Sequence, residues 1–238
     1  MHVLIADKFE RSGIDELESL GIQVTVNPDL SAETLPAAVR ATDPDVLVVR
    51  STKVSAEAVK AGSRLGVIVR AGAGYDTIDV AAASSMGVFV ANCPGKNSIA
   101  VAELAWGLIL ACDRRIAQQT IELRAGQWNK KEYSKARGVF GRTLGVIGVG
   151  QIGREVIHRA HAFGMPVVAW SRSLTDAAAA DLGVVRCDTP NDVARIADVI
   201  SVHVAGTADT KGLIGPAFCA DLRQGAILVN TTRGSVID

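Results

Sequence analysis

The chain has 238 residues, of which 48% are hydrophobic and only 4% aromatic, and its 25 Lys+Arg balance 25 Asp+Glu to a formal net charge of zero. Such a chain is too apolar to be disordered and long enough for one large domain or two small ones, with a core of Val, Ile, Leu and Ala. Charge neutrality argues against general binding to nucleic acid or anionic membrane and leaves only local basic patches open.

Read in order, short apolar runs alternate with helical patterns. Val3–Ala6 is strand-like, and Ile14, Leu17 and Leu20 give helical spacing over Glu10–Leu20, stopped by Gly21. Val24–Val26 is a second strand, after which Ser31 can cap a helix running to about Ala41. Val46–Val49 is a third strand, Ser55 caps the next helix, and Gly66–Val69 and Val88–Val90 complete a first series. Wholly apolar strands, each followed by a helix, indicate a parallel sheet covered on both faces. One long helix is expected from Ser98 to about Ala125, ended by Gly126. Its first half is apolar nearly all round, which calls for burial on several sides, between domains or between subunits. A second series follows, with strands at Leu144–Val149, Val167–Trp170, Val184-Val185, Val199–Val204 and Ile227–Val229. The fold class is therefore α/β, with two doubly wound parallel-sheet domains, 1–97 and 98–238.

The cysteines Cys93, Cys112, Cys187 and Cys219 lie far apart without a C-x-x-C pair, so neither a zinc site nor a disulfide framework is expected. Met1–Asp7 has no basic n-region or cleavage site. The most hydrophobic stretch, Ile99–Ala111, is shorter than a membrane span and contains Glu103. A cytoplasmic protein without membrane, metal or nucleic-acid partners is the expectation.

The strongest chemical signal is Gly148-Val149-Gly150-Gln151-Ile152-Gly153, preceded by strand 143–147 and followed by the helical segment Arg154–Phe163. Alone, G-x-G-x-x-G is weak. In this context the glycines allow a tight turn and close approach of a pyrophosphate, which meets the free N–H groups and positive dipole end of a helix. The alternative is a glycine-rich turn without ligand. Where an NAD-binding strand ends in an acid, this chain has Ser171, followed by Arg172 and Ser173. The missing acid removes a repulsion of the 2′-phosphate, and Arg172 can bind that phosphate, so NADP is expected to be tolerated and even preferred. Equally open is a solvated Arg172 with NAD as the cofactor.

Several further segments carry a resemblance: Val49–Val54, Arg70-Ala71-Gly72-Ala73-Gly74-Tyr75-Asp76, Asn97–Glu103, Leu123–Trp128, Ser201-Val202-His203-Val204 and Asn230-Thr231-Thr232-Arg233-Gly234. Over essentially all 238 residues the chain resembles the D-isomer-specific 2-hydroxyacid dehydrogenases, and most of all those acting on 3-phosphoglycerate for serine synthesis. The resemblance implies a flavodoxin-like substrate domain, a Rossmann domain and hydride transfer between NAD(P) and C2 of a small 2-hydroxy or 2-oxo acid. It makes Arg233 the catalytic group that grips the carboxylate and polarises the 2-oxo oxygen. It places the amides of Gly72, Ala73 and Gly74 against the anion, with Arg70 and Asn97 also on the substrate side. Arg50, Ser51 and Lys53 approach the substrate's distal end, which suits a phosphorylated substrate. Gly148, Gly150, Gln151, Ile152, Gly153, Ser171, Arg172, His203 and Thr231 fall on the cofactor, although His203 reads equally well as a packing histidine.

His158 and His161 read as surface or packing residues, Trp106 and Trp128 as core or interface aromatics, and Asp198 as a capping or turn residue. A homodimer through helix 98–111 is expected, as is cleft closure that brings Arg50 and Gly72–Gly74 toward Arg233. The resemblance also implies a Glu-His pair for proton transfer beyond Arg233-Gly234. With Asp238 as last residue, the cofactor domain is expected to lack its last strands and to leave 226–229 as a sheet edge. A natural protein continuing past Asp238 is favoured over a missing part supplied from elsewhere or a truncated, inactive form. Two other functions stay open: an NADPH-dependent glyoxylate or hydroxypyruvate reductase, and a non-catalytic nucleotide-sensing interaction protein.

Overall fold

A computed structural model describes all 238 residues, which divide into two compact units, Met1–Asn97 and Ser98–Asp238. In the first, strands β1 (His2–Ile5), β2 (Gln23–Val26), β3 (Val46–Val49), β4 (Val67–Arg70) and β5 (Phe89–Asn92) form one parallel sheet in the order β2-β1-β3-β4-β5. Alternation along a strand explains why these runs are apolar throughout. Val3 and Ile5 pack with Ile14 and Val48 in one cluster, while Leu4 packs with Leu35, Val39, Leu47 and Ile68 in another.

In the second unit β6 (Leu144–Ile147), β7 (Val167–Trp170), β8 (Val185–Arg186), β9 (Val199–Val202) and β10 (Ile227–Asn230) are again all parallel, in the order β10-β9-β6-β7-β8. The strand order reverses between β6 and β9, the position at which a doubly wound sheet opens a crevice at its carboxyl ends. Strand β10 forms one edge of this sheet.

Most boundaries fall within a residue or two of the expectation, and the larger departures have local causes. The long helix is two helices, Ser98–Arg114 and Ile116–Arg124, because Arg115 adopts φ +52°. Its guanidinium is held by Glu132 at 2.8 Å and lies 4.9 Å over the Tyr133 ring, both on the short helix Lys130–Tyr133. These contacts oppose the usual penalty for a left-handed non-glycine residue. Ser31 lies one turn ahead of the second helix, Leu35–Thr42, rather than directly before it, and caps that turn: its Oγ accepts from the Glu33 and Thr34 amides at 3.2 and 3.4 Å and its carbonyl from the Leu35 amide. Ser55 does cap, accepting from the Ala58 amide at 3.3 Å.

Helix Ser98–Arg114 is not enclosed all round. It buries Ala102, Ala105, Trp106 and Ile109 in the core of its own unit, and leaves Ile99, Leu104 and Leu108 exposed. Trp106 stacks on Phe163 with centroids 4.5 Å apart and donates to the Val156 carbonyl at 3.2 Å. Trp128, by contrast, is 79% exposed and belongs to no core. At the opposite end of this helix, Asp113 and Arg142 form a buried ion pair of 2.8 Å. Arg142 also donates to the carbonyls of Gly138 and Asp198, Asp113 accepts from the Gly138 amide, and the Asp198 carboxylate accepts from the Thr143 amide. Asp198 thus acts as a brace at the start of β9. Asp113→Ala leaves a buried guanidinium without its counter-charge, so urea titration is expected to show a loss of about 3–5 kcal/mol.

Candidate functional site

The turn after β6 shows a separate reason for each of its three glycines. Gly148 has φ +100°, and a Cβ there would lie 2.6–2.7 Å from the backbone of His203 and Val204. A Cβ on Gly153 would lie 2.1 Å from the Gly148 carbonyl oxygen, whereas one on Gly150 would project into open space. The first glycine therefore lets the turn pass under the exit of β9, the third seats the helix on the strand, and the second leaves the backbone bare. The helix starts earlier than expected, at Gln151, so Gln151, Ile152 and Gly153 form its first turn; no side chain caps it. An uncapped first turn beneath a bare Gly150 admits a diphosphate closely.

The remaining candidates of this unit lie beyond the carboxyl ends of its strands. His203 follows β9 and is 8% exposed, its Nε2 2.8 Å from Ser201 Oγ and its buried Nδ1 without a partner. Thr231, after β10, likewise has a buried Oγ1 without a partner. These two orphaned polar atoms beside the crevice suit a polar ligand. Arg233 is exposed on a loop stitched by Asn230, which donates to the Arg233 carbonyl at 3.0 Å and accepts from Thr232. The stem of Arg233 crosses Gly206, where a Cβ would meet Cγ at 2.6 Å. After β7, the Ser171 carbonyl accepts from the Leu174 amide, and Arg172 pairs with Asp209 at 3.1 Å, both side chains about three-quarters exposed. His158 and His161 are exposed on the helix after the glycine turn.

In the first unit the loop after β3 folds round Asp7, which follows β1. Its carboxylate accepts from the amides of Arg50, Ser51 and Thr52 at 2.7–3.1 Å and from Ser51 Oγ at 2.7 Å. Burial alone would raise the Asp7 pKa, but the bonds from Arg50, Ser51 and Thr52 outweigh it and hold the carboxyl below its ordinary value. The Ser51 hydroxyl is thus committed to Asp7, while the Arg50 and Lys53 side chains are exposed. In the loop after β4 the Gly72 amide donates back to the Arg70 carbonyl at 2.8 Å rather than pointing outward. The amides of Ala73 and Gly74 have no partner within the chain. Asn92 fixes this loop by donating to the Ala73 carbonyl at 2.6 Å. Asn97, the last residue of this unit, is exposed in the turn between β5 and the helix that starts at Ser98. Asp7, Asn92, Gly206 and Asp209 were not singled out from the sequence. Only Asp7, an acid directly after an apolar strand, carried a usable signal.

Residues 106–238 match the family model described as D-isomer specific 2-hydroxyacid dehydrogenase, NAD binding domain. The chain belongs to the D-isomer specific 2-hydroxyacid dehydrogenase family. It is 41% identical over 237 residues to a D-3-phosphoglycerate dehydrogenase of Methanocaldococcus jannaschii, covering 99% of this chain and 44% of that protein. It is 46% identical over 195 residues to a hydroxypyruvate reductase of Thermotoga maritima, covering 82% and 62%. The chain thus spans less than two thirds of the length of these curated relatives. The NAD+-bound 3-phosphoglycerate dehydrogenase of Entamoeba histolytica superimposes with a TM-score of 0.82 at 28% identity, covering 100% of this chain and 74% of that one.

Burial pushes the His203 pKa down from 6.5 to about 4, so the folded state holds the neutral imidazole. Below pH 6.5 the unfolded chain takes up this proton first, so stability falls from there and the loss is complete near pH 4. The full span corresponds to about 3 kcal/mol. Urea midpoints measured from pH 7 to 4 are expected to fall less steeply in His203→Gln than in the wild type.

Proposed function

We propose that the chain serves an oxidoreductase that transfers hydride between NAD(P) and a D-2-hydroxy acid, with 3-phosphoglycerate as the best-supported substrate, in a cytoplasmic homodimer. The observation that carries this reading is the division of labour among Gly148, Gly150 and Gly153 at the strand-order reversal of the second sheet. The amides of Gln151–Gly153 hold the diphosphate, and His203 and Thr231 supply polar atoms along the crevice. Bound there, the nicotinamide carries the hydride. Arg233 follows β10 at the same carboxyl edge, where its guanidinium binds a carboxylate bidentately and draws electron density from the 2-oxo oxygen. The first unit offers a second anion site in Arg70 and the Ala73 and Gly74 amides. The phosphorylated substrate is supported by the surplus of cations at that unit's strand ends, Arg50, Lys53 and Arg70, and by the similarity to 3-phosphoglycerate dehydrogenase.

A reductase using NADPH is the second reading, and one observation favours it. The strand that should end in an acid ends in Ser171-Arg172. Quenching of tryptophan fluorescence on titration with each nucleotide separates the cases. NADPH is expected to bind within about tenfold of NADH, and Arg172→Ala is expected to weaken NADPH about tenfold while sparing NADH. A wild-type preference for NADH beyond about a hundredfold would sink the NADP assignment.

The dimer rests on the exposed apolar side chains Ile99, Leu104 and Leu108 along one helix. Light scattering at micromolar concentration is expected to give twice the chain mass, and Leu104→Asp with Leu108→Asp to give the monomer. A wild-type monomer would refute it.

A further inference from the structure

We infer that Gly72 is a positioning residue, the notch into which the Arg70 guanidinium folds so that it can grip an anionic group of the substrate. The argument starts from what the backbone does not require. Gly72 lies outside the left-handed region, and its two hydrogen bonds, from its amide to the Arg70 carbonyl and to its carbonyl from the Cys93 amide, are ones any L-residue makes. Its lack of a side chain must therefore be explained by what occupies the space. The three atoms nearest to where a Cβ would sit all belong to Arg70: Nη1 at 1.4 Å, Cζ at 2.6 Å and Nε at 3.4 Å. The guanidinium thus lies on the α-carbon two residues further along its own loop.

What Arg70 does there is equally telling. It is the last residue of β4, at the carboxyl edge of the first sheet, is only partly exposed, and has no carboxylate partner; its Nε is buried without a hydrogen bond. Other partly buried guanidinium groups of this chain, those of Arg142 and Arg159, face carboxylates. Withdrawing a guanidinium from water without a counter-charge is unfavourable, and an incoming anion reverses that cost. The next two amides, of Ala73 and Gly74, are unpartnered as well, and Asn92 holds the Ala73 carbonyl so that this segment stays in place. A cation and two amides on one short loop suit a carboxylate or a phosphate.

This inference rests on the substrate reading above, and a double-mutant cycle separates the two. The group displaced by a methyl at position 72 is the far end of a flexible side chain, so Gly72→Ala should move the guanidinium without unfolding anything. Calorimetric titration of the full chain with 3-phosphoglycerate in saturating NADH is the measurement, on wild type, Gly72→Ala, Arg70→Ala and the double variant. Gly72→Ala is expected to weaken 3-phosphoglycerate about tenfold or more, with Tm shifted by about 2 °C or less and the NADH affinity retained. In the Arg70→Ala background the same substitution should have no further effect. An equal loss in both backgrounds, or no loss in either, overturns the inference and leaves the substrate site standing. If Arg70→Ala binds like the wild type, Arg70 is not in the site, and the role of Gly72 falls with it. If the wild type binds NADH but not 3-phosphoglycerate, the substrate assignment itself is overturned.

Discussion

The close passage of Gly148 beneath the exit of β9 is the contact on which the second unit depends. Its α-carbon lies so near the backbone of His203 and Val204 that no side chain fits between them. The Gly148 amide is tied sideways to the Trp170 carbonyl of β7, and the Ile147 carbonyl accepts from the His203 amide. Three adjacent strands therefore end in one stitched ridge. From that ridge the chain turns directly into a helix whose third residue, Gly153, rests on the Gly148 carbonyl. Any residue larger than glycine at either place would lift the helix and turn its N–H groups away from the crevice. Burial of His203 follows from the same passage, because the residue sits where the turn and β9 meet.

Both units place their candidate site residues by one rule. In a parallel sheet every strand ends at the same edge, and the loops there are free to vary because the helices cover the faces. In the first unit Asp7 and Arg50–Thr52 follow β1 and β3, and Arg70 ends β4 and leads into Ala71–Gly74; in the second the glycine turn, Ser171-Arg172, His203 and Thr231–Arg233 follow β6, β7, β9 and β10. The loops are nonetheless rigid in different ways. Asp7 organises the first by accepting from three consecutive amides, which makes its carboxylate a structural anion rather than a reactive one. Asn230 plays the corresponding part beside Arg233, bonding to Thr232 and to the Arg233 carbonyl.

Which parts of this were legible beforehand follows from the range of the forces involved. Strands buried on both faces announce themselves as runs such as Val46–Val49 and Leu144–Ile147, so their number and parallel pairing could be read directly. The glycine turn was equally plain, since its demands are local and steric. The break at Arg115 was not, because it depends on Glu132 and Tyr133, which reach it only after the chain has turned back. The exposure of Leu104 and Leu108 was hidden for a related reason: an apolar helix reports that burial is wanted, not which surface provides it. Asp7 and Ser51 could be located at strand ends but not joined, since their bond spans 44 positions. In the sequence Gly72 shows only an amide free to meet an anion, yet the structure gives that amide to the Arg70 carbonyl and leaves the missing side chain as the feature that matters.

The pair Arg172–Asp209 sharpens the question of which dinucleotide the chain prefers. A free arginine after β7 would favour a 2′-phosphate outright. Here its guanidinium already faces a carboxylate at 3.1 Å, borne by the 3-10 turn Ala208–Thr210 that follows β9. Both groups are about three-quarters exposed, so the pair itself is worth little, on the order of 0–1 kcal/mol. A phosphate carrying nearly two charges and three acceptor oxygens competes easily with one carboxylate for a guanidinium. Asp209 nonetheless remains close by once displaced, and its charge then repels the same phosphate. The net preference is therefore set by the difference between Arg172 and Asp209 rather than by Arg172 alone.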